Sequence, residues 1–231
     1  MRVIVTRARA DAERTAAALR ARGHEALLSP VLEIAATGAA IRPGAAQALI
    51  ATSAHAFEAM RAEEAARLAH LPLFVVGART GEAAQRAGLS APRIAAARAS
   101  GLAADIAAAL PRGASLLYLA GHDRKPDLEA ALADAGFALD VIEAYEARAV
   151  DALSEEAAEA MRRGAADAVL HFSGRSARLF LDMAARAGLS AEAAGLRHVC
   201  ISQDAAGAVG AGAVVAETPD SPGLLRALEE N

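Results

Sequence analysis

Leu49-Ile50-Ala51-Thr52-Ser53-Ala54-His55-Ala56-Phe57 is answered later in the chain by Val169-Leu170-His171-Phe172-Ser173-Gly174-Arg175-Ser176-Ala177. Each stretch is a short apolar run, a turn of small or hydroxylated residues, and the start of an Ala-rich amphipathic segment. That pattern reads as a β-strand feeding a helix. The likeness extends outward, with residues 49–110 resembling residues 169–228 and Val75-Val76-Gly77 answered by Cys200-Ile201-Ser202. A second pair of segments, 2–38 and 115–150, aligns Leu19 with Leu132, Gly23 with Gly136 and Glu33 with Glu146 at one constant offset. The chain therefore reads as A–B–A′–B′, two copies of one small α/β domain with about five strands each.

The periodicity supports this throughout. Strand-like runs are expected at residues 3–6, 26–29, 49–52, 73–76, 93–96, 116–119, 139–144, 168–172, 199–201 and 213–216. Helical segments are expected at 11–22, 54–68, 81–87, 103–110, 127–135, 154–163, 175–187 and 222–230. Gly23, Gly88, Gly136 and Gly188 each follow a helical segment, where a left-handed residue stops a helix. Such alternation predicts parallel sheets covered by helices. Repetition leaves two packings open: A with B and A′ with B′, or A with B′ around a central B with A′. Residues 31–37 and 142–150 follow equivalent strands and run on without a clear turn, long enough to leave one domain and enter the next. They favour the second packing, with two crossings paired as an antiparallel ribbon. The expected domains are 1–33 with 150–231, and 40–142, with 34–39 and 143–149 as the ribbon.

Composition excludes several classes. Charged residues are 23% and hydrophobic ones 55%, too apolar for a disordered chain. A formal charge of −4 gives no electrostatic reason to expect nucleic acid or a membrane surface. No apolar stretch approaches the roughly 18–20 residues of a membrane helix. The first seven residues, Met1-Arg2-Val3-Ile4-Val5-Thr6-Arg7, meet a charge too soon for a signal peptide. The single cysteine, Cys200, lies in an apolar run and reads as a small buried hydrophobe in a reducing cytoplasm. The six histidines show no metal-ligand spacing. Gly207-Ala208-Val209-Gly210-Ala211-Gly212 precedes a strand instead of following one, so it reads as a helix end and turn, not a dinucleotide fingerprint. No phosphate loop and no nucleophile elbow occur.

In an open parallel sheet, ligands bind beyond the carboxyl ends of the strands, where helices begin. Arg7, Thr52, Ser53, Gly77, Arg79, Thr80, Arg124, Ser173, Gly174, Arg175, Ser176 and Ser202 all close or follow expected strands. Small or hydroxylated residues with a nearby cation suit an anion held at helix N-termini. Two such rims facing each other across a hinge would take a large ligand with several negative groups. The same residue types are ordinary helix caps and solvated arginines, so both readings stand. Tyr145, one of two tyrosines, lies in the second crossing. A neutral phenol there can donate a proton to a leaving oxygen, or simply pack the ribbon.

The chain resembles the uroporphyrinogen-III synthase family. The resemblance rests on Val5-Thr6-Arg7 with Gly23, Pro30-Val31-Leu32-Glu33-Ile34, Thr52-Ser53-Ala54-His55-Ala56 and Val76-Gly77-Ala78-Arg79-Thr80. It continues through Gly121-His122-Asp123-Arg124 to Gly136, Glu143-Ala144-Tyr145, Phe172-Ser173-Gly174-Arg175-Ser176 and Cys200-Ile201-Ser202. Each piece is short; their order and spacing carry the match. The resemblance implies two flavodoxin-like domains joined by a two-stranded ladder, one of them discontinuous. It implies an enzyme, a cofactor-free lyase in tetrapyrrole biosynthesis. The substrate is hydroxymethylbilane, a linear tetrapyrrole with acetate and propionate arms, closed to uroporphyrinogen III with loss of water and inversion of ring D. It makes Tyr145 the residue that assists departure of the hydroxyl. It places the carboxylates on main-chain N–H groups near Thr52-Ser53, Gly77, Ser173-Gly174 and Ser202, helped by Arg7, Arg79, Arg124 and Arg175. Where many members carry Thr after the strand ending at Ile201, this chain has Ser202-Gln203-Asp204-Ala205. A carboxylate beside an anionic ligand is unfavourable unless it caps a helix. A cytoplasmic monomer is expected. The competing reading is a two-domain anion- or tetrapyrrole-binding protein without catalysis, a degenerate paralogue.

Overall fold

The computed structural model describes residues 1–90, 93–95 and 99–230; Ala96, the last residue of the strand expected at 93–96, lies outside them. In chain order the elements are β1 (Arg2–Val5), α1 (Arg9–Arg20), β2 (Glu25–Leu28), β3 (Leu32–Ala36), β4 (Ala48–Ala51), α2 (His55–Glu58), α3 (Ala62–Leu68) and β5 (Leu73–Val76). There follow α4 (Ala78–Arg86), β6 (Arg93–Ala95), α5 (Ala99–Ala109), β7 (Ser115–Gly121), α6 (Asp127–Asp134) and β8 (Ala138–Ala149). The remainder is α7 (Glu155–Arg162), β9 (Ala168–His171), α8 (Gly174–Arg186), α9 (Ser190–Ala194), β10 (Arg197–Cys200), α10 (Gln203–Val209), β11 (Val214–Val215) and α11 (Ser221–Glu229). Two compact units result: Met1–Glu33 with Arg148–Asn231, and Ile34–Ala147.

The terminal unit holds one five-stranded sheet in the order β11-β10-β9-β1-β2. Its strands pair in parallel, with Val3 opposite both Ala26 and Ala168, and Val199 opposite Leu170 and Val214. Counted along this unit alone, the order is the doubly wound 2-1-3-4-5 pattern, whose switch point lies between β1 and β9. Alternate residues feed opposite faces, as a period of two requires. Ile4, Leu27 and Val169 pack with Phe180, Met183 and Met161 on one side. Val3, Val5, Leu170 and Val199 pack with Leu19, Leu224 and Leu228 on the other.

The central unit has the sheet order β3-β8-β7-β4-β5-β6. Here β7, β4, β5, β6 and the first half of β8 are parallel. It repeats the pattern of the terminal unit with the chain entering at the third position, so its switch point lies between β7 and β4. Leu49, Ala51, Leu73, Val75, Leu117 and Leu119 form one core layer. Ile50, Phe74, Leu116 and Tyr118 form the other, with Leu102, Ile106 and Leu132. The sheet has six strands where about five were expected, because β3 adds to its edge. Thr37 N–H donates to the Ala144 carbonyl (3.2 Å) and Val150 N–H donates to the Val31 carbonyl (3.2 Å). One position rises by six as its partner falls by six, which is antiparallel pairing. The repeat is thus packed as A with B′ and B with A′.

Two helical readings need correction. The helix expected over 54–68 is broken, because a new N-terminus forms at Arg61. The Glu64 carboxylate accepts the Arg61 N–H (3.0 Å) and the Ile41 N–H (3.4 Å), and pairs with the Arg61 guanidinium (2.8 Å). That hydrogen bond from Arg61 holds the Glu64 carboxyl below its ordinary range against the opposing effect of burial. The short helix α9 was not expected at all. The glycine stops hold: Gly23, Gly88, Gly136 and Gly188 have φ of 78°, 87°, 86° and 71°, which side chains rarely adopt.

Candidate functional site

The switch point of the central unit gathers polar side chains onto one phenol. At the end of β4, the Thr52 hydroxyl shares a 3.0 Å hydrogen bond with the Tyr118 hydroxyl of β7. Ser53 is hydrogen-bonded to the Tyr145 side chain and also accepts the His55 N–H at 3.3 Å. Tyr145 reaches this point through an irregularity in β8. Register runs evenly to Ala120 opposite Glu143, then Gly121 faces Tyr145 and Ala144 is skipped. A bulge of this kind re-aims a side chain. His122 N–H donates to the Tyr145 carbonyl at 2.9 Å, closing the bulge.

Gly121 is required by the ring. A Cβ there would stand 2.8 Å from Tyr145 Cε2 and Cζ and 2.9 Å from its hydroxyl oxygen. The His55 ring packs against Tyr145 edge-on, with centroids 5.8 Å apart and planes at 62°. Burial pushes the phenol above its ordinary value. The Ser53 hydrogen bond opposes this, nearby Tyr118 adds to it, and Arg124 opposes it. The phenol is therefore held protonated across the neutral range. Gly121→Ala should push the ring out toward water and bring its titration back down toward the ordinary value. With two tyrosines and no tryptophan, an alkaline ultraviolet titration resolves this directly. An unmoved titration would show that the ring tolerates the methyl group.

Around this phenol lies a charged collar. Arg124 donates to Glu129 (2.6 Å), to Glu143 (2.8 Å) and to the Gly121 carbonyl (3.1 Å). Those two carboxylates, Glu129 first, raise its already high pKa. His122 donates to Glu143 at 2.8 Å, and that contact raises the imidazole and lowers the carboxyl. His55 Nδ1 donates to Glu58 at 2.7 Å, and Arg79 stands 3.9 Å from the other Glu58 oxygen. Gly77 opens α4 with φ of 77°, and Thr80, one turn in, is buried.

The terminal unit places the other expected residues beyond the ends of β1, β9 and β10. Thr6, buried, donates to the Leu170 carbonyl at 2.7 Å and ties β1 to β9. The Arg7 guanidinium lies 4.3 Å over Phe172, pairs with Asp11 at 3.1 Å and reaches Ser221 at 3.4 Å. Ser173 caps α8, accepting Ser176 N–H at 3.0 Å, while the Ser176 hydroxyl oxygen accepts Ser173 N–H at 3.1 Å. Ser202 caps α10, accepting Ala205 N–H at 3.4 Å. Arg175 is exposed on the first turn of α8. Asp204 accepts the Gly174 N–H at 3.1 Å, and a Cβ on Gly174 would come within 2.6 Å of that carboxylate oxygen. So Asp204 caps a helix, and the helix is α8, not its own.

The structure thus brings Thr52, Ser53, Tyr145 and Arg124 together in one unit. It sets Arg7, Ser173, Gly174, Ser176 and Ser202 in the other, where the three serine hydroxyls serve as caps. Sequence reasoning missed the contacts of Gly121 and His55 with Tyr145. Their only trace was the glycine ending a strand and a histidine following Thr52-Ser53. Among the described residues, no group of three His, Cys, Asp or Glu side chains is arranged to hold a metal, and no helix is long and apolar enough to cross a membrane.

Comparison with known proteins gives these features a setting. A family model described as uroporphyrinogen-III synthase HemD matches residues 13–226. The solved uroporphyrinogen-III synthetase from Helicobacter pylori is 16% identical, with a TM-score of 0.65 over 99% of each chain. A mutant uroporphyrinogen III synthase from Thermus thermophilus is 19% identical, with a TM-score of 0.51 over 100% of each chain. No curated protein sequence matches. At such identities the solved structures establish the fold alone. The family match spans nearly the whole sequence, and on that ground the chain belongs to the uroporphyrinogen-III synthase family.

Proposed function

We propose that this chain closes hydroxymethylbilane to uroporphyrinogen III with Tyr145 as the proton donor. The single observation that carries the assignment of Tyr145 is its place: a half-buried phenol, hydrogen-bonded to Ser53, at the switch point of a doubly wound sheet. The terminal C–O bond of the bilane breaks with its electron pair on oxygen, and the phenol proton converts the departing hydroxyl to water. The azafulvene cation left behind is attacked by a carbon of the substituted ring-D position, forming the C–C bond of the spiro intermediate. The bond from that carbon to the ring-C bridge then breaks, leaving its electron pair on ring D and an azafulvene cation on ring C. The free α-carbon of ring D attacks that cation, so ring D closes in reversed order. The proton lost from the attacking carbon returns to the phenolate and leaves the macrocycle neutral. A protonated phenol suits the first step because it donates without adding a charge to a site that holds a polyanion.

Recognition is proposed on both units. Main-chain N–H groups at Thr52-Ser53, Gly77, Gly174 and Ser202 take carboxylates, with Arg79 and Arg175 as cations and Thr80 supporting the Gly77 turn. Arg124 contributes by holding Glu143 and the Gly121 carbonyl, so that the strand bearing Tyr145 keeps its bulge. Arg7 contributes by holding the end of β1 over Phe172. Asp204 occupies the Gly174 N–H, so a substrate carboxylate at that amide must displace it or bind beside it. We further propose a cytoplasmic monomer. Burial pushes the Cys200 thiol up to about 11, consistent with an unreactive thiol in a reducing compartment.

The test is to supply freshly made hydroxymethylbilane and separate the products. The ring-inverted type III isomer should dominate over the type I isomer that forms spontaneously. A product mixture identical to the spontaneous one, with bilane bound, would instead establish a binding protein.

A further inference from the structure

We propose that His55, oriented by Glu58, is a positioning residue that holds the Tyr145 phenol in its proton-donating orientation. This rests on the assignment of Tyr145 above. The phenol ring is confined on three sides. Gly121 lies against the ring, where even a methyl group would stand 2.8 Å away. Ser53 holds the hydroxyl. The His55 ring meets Tyr145 edge-on at 5.8 Å. As the Gly121 carbonyl is held by Arg124 at 3.1 Å, His55 is itself set by a further charged group. Its Nδ1–H donates to Glu58 at 2.7 Å, and an imidazole side chain that is 13% exposed has little freedom to turn away. The carboxylate acceptor places the proton on Nδ1 and thereby chooses one of the two ring flips. Glu58 in turn faces Arg79 at 3.9 Å. A run of contacts therefore leads from Arg79 through Glu58 and His55 to the phenol, all within the central unit.

The reason such a support matters is geometric. Proton transfer needs the donor within hydrogen-bond reach of the departing oxygen, and an error near 1 Å costs up to about 10²-fold in rate. A phenol at the end of a bulge has two torsions to fix. Ser53 alone fixes the oxygen but not the tilt of the ring. Edge-to-face packing supplies the missing restraint.

The experiment is a double-mutant cycle on the full chain, with steady-state turnover of hydroxymethylbilane as the readout. His55→Ala is expected to lower kcat about 10-fold while KM stays within twofold. His55→Phe, which restores a ring but leaves Glu58 without its donor, should recover only part of that loss. His55→Gln keeps a donor for Glu58 but no ring; it should lose as much as Ala, and it serves if the Ala variant does not fold. In a Tyr145→Phe background, removing His55 should change kcat by less than twofold, since the phenol it positions is gone. Full turnover in His55→Gln, or an equal loss with and without the phenol, would overturn the proposal. Failure of the Tyr145 assignment shows separately, as full turnover in the Tyr145→Phe single variant.

Discussion

Tyr145→Phe is expected to fold like the parent protein and to lower turnover by about 10²-fold, the low end of what a positioned general acid supplies. The substitution removes one oxygen. The ring that fills the space beside Gly121 and His55 remains, so packing changes little. The Ser53 hydroxyl loses a partner at a half-buried position and can turn to Thr52 or water, a cost of about 1 kcal/mol or less. Binding of the bilane should be nearly unchanged, because a neutral phenol contributes little to holding carboxylates. The loss should therefore fall on kcat with KM near its original value, the signature of an interaction made in the transition state. Residual product should retain the type III isomer, since ring inversion depends on how the bilane is folded and not on who protonates the leaving group. Unchanged kinetics would remove the phenol from the mechanism.

The second large effect concerns stability of the terminal unit in acid. His171 and His198 are buried, stacked 5.2 Å apart, and joined by a 2.9 Å hydrogen bond from ring to ring. The direction of that bond follows from its surroundings. His198 Nε2 faces the Ala193 carbonyl at 2.9 Å, so it carries the proton and donates. His198 Nδ1 is therefore the acceptor, and His171 Nε2–H is the donor. His171 Nδ1 is then a bare lone pair with no partner in a fully buried ring. A second proton on either ring is disfavoured in place. A proton on His198 would face the His171 N–H, and one on His171 would face no acceptor. Burial first, and then the neighbouring His198, push His171 down to about 3; burial lowers His198 as well.

The unfolded chain protonates these rings near pH 6.5, before the folded one can. The unfolded state binds more protons below that pH, so stability is complete above about 6.5 and falls as the pH drops toward 3. One pKa unit is about 1.4 kcal/mol, so His171 alone should cost roughly 2 kcal/mol between pH 6.5 and 4.5. Urea unfolding of the parent and of His171→Leu at both pH values isolates the effect from that of the carboxylates. The variant should be less stable at pH 6.5 but lose roughly 2 kcal/mol less on acidification to pH 4.5. Parallel losses in the two proteins would show that the pair is not the source.

What was legible in the sequence was whatever is encoded locally or repeated. Apolar runs such as 49–52 and 168–172, and helices stopped by Gly23 or Gly188, fix β-α units from neighbours a few residues apart. The repeat then supplied the interleaved packing, through the turnless runs after residues 31 and 142. The break at Arg61 was not legible, because the Glu64 carboxylate that starts α3 also serves the distant Ile41 N–H. Within the site, Tyr145 stood out by its scarcity and its place in a crossing strand. The significance of Gly121 did not, because it depends on a register irregularity that brings together residues 24 positions apart. The hydroxyls of Ser173, Ser176 and Ser202 matched the cap chemistry as well as anion binding, and the structure shows them capping. Asp204 on the Gly174 N–H joins positions 30 residues apart, with no local pattern to announce it.

The interleaved connectivity sets an order of events during synthesis. Residues 34–147 form a continuous stretch, so the central unit can assemble as soon as it leaves the ribosome. The first two strands emerge earlier but have to wait: β1 finds its inner neighbour only when residues 168–170 arrive. For that interval the nascent chain carries a hydrophobic strand edge with nothing laid against it, an invitation to misassociation between polysomes. Slow translation through the middle of the message would lengthen that exposure, and holdase chaperones would be most needed there.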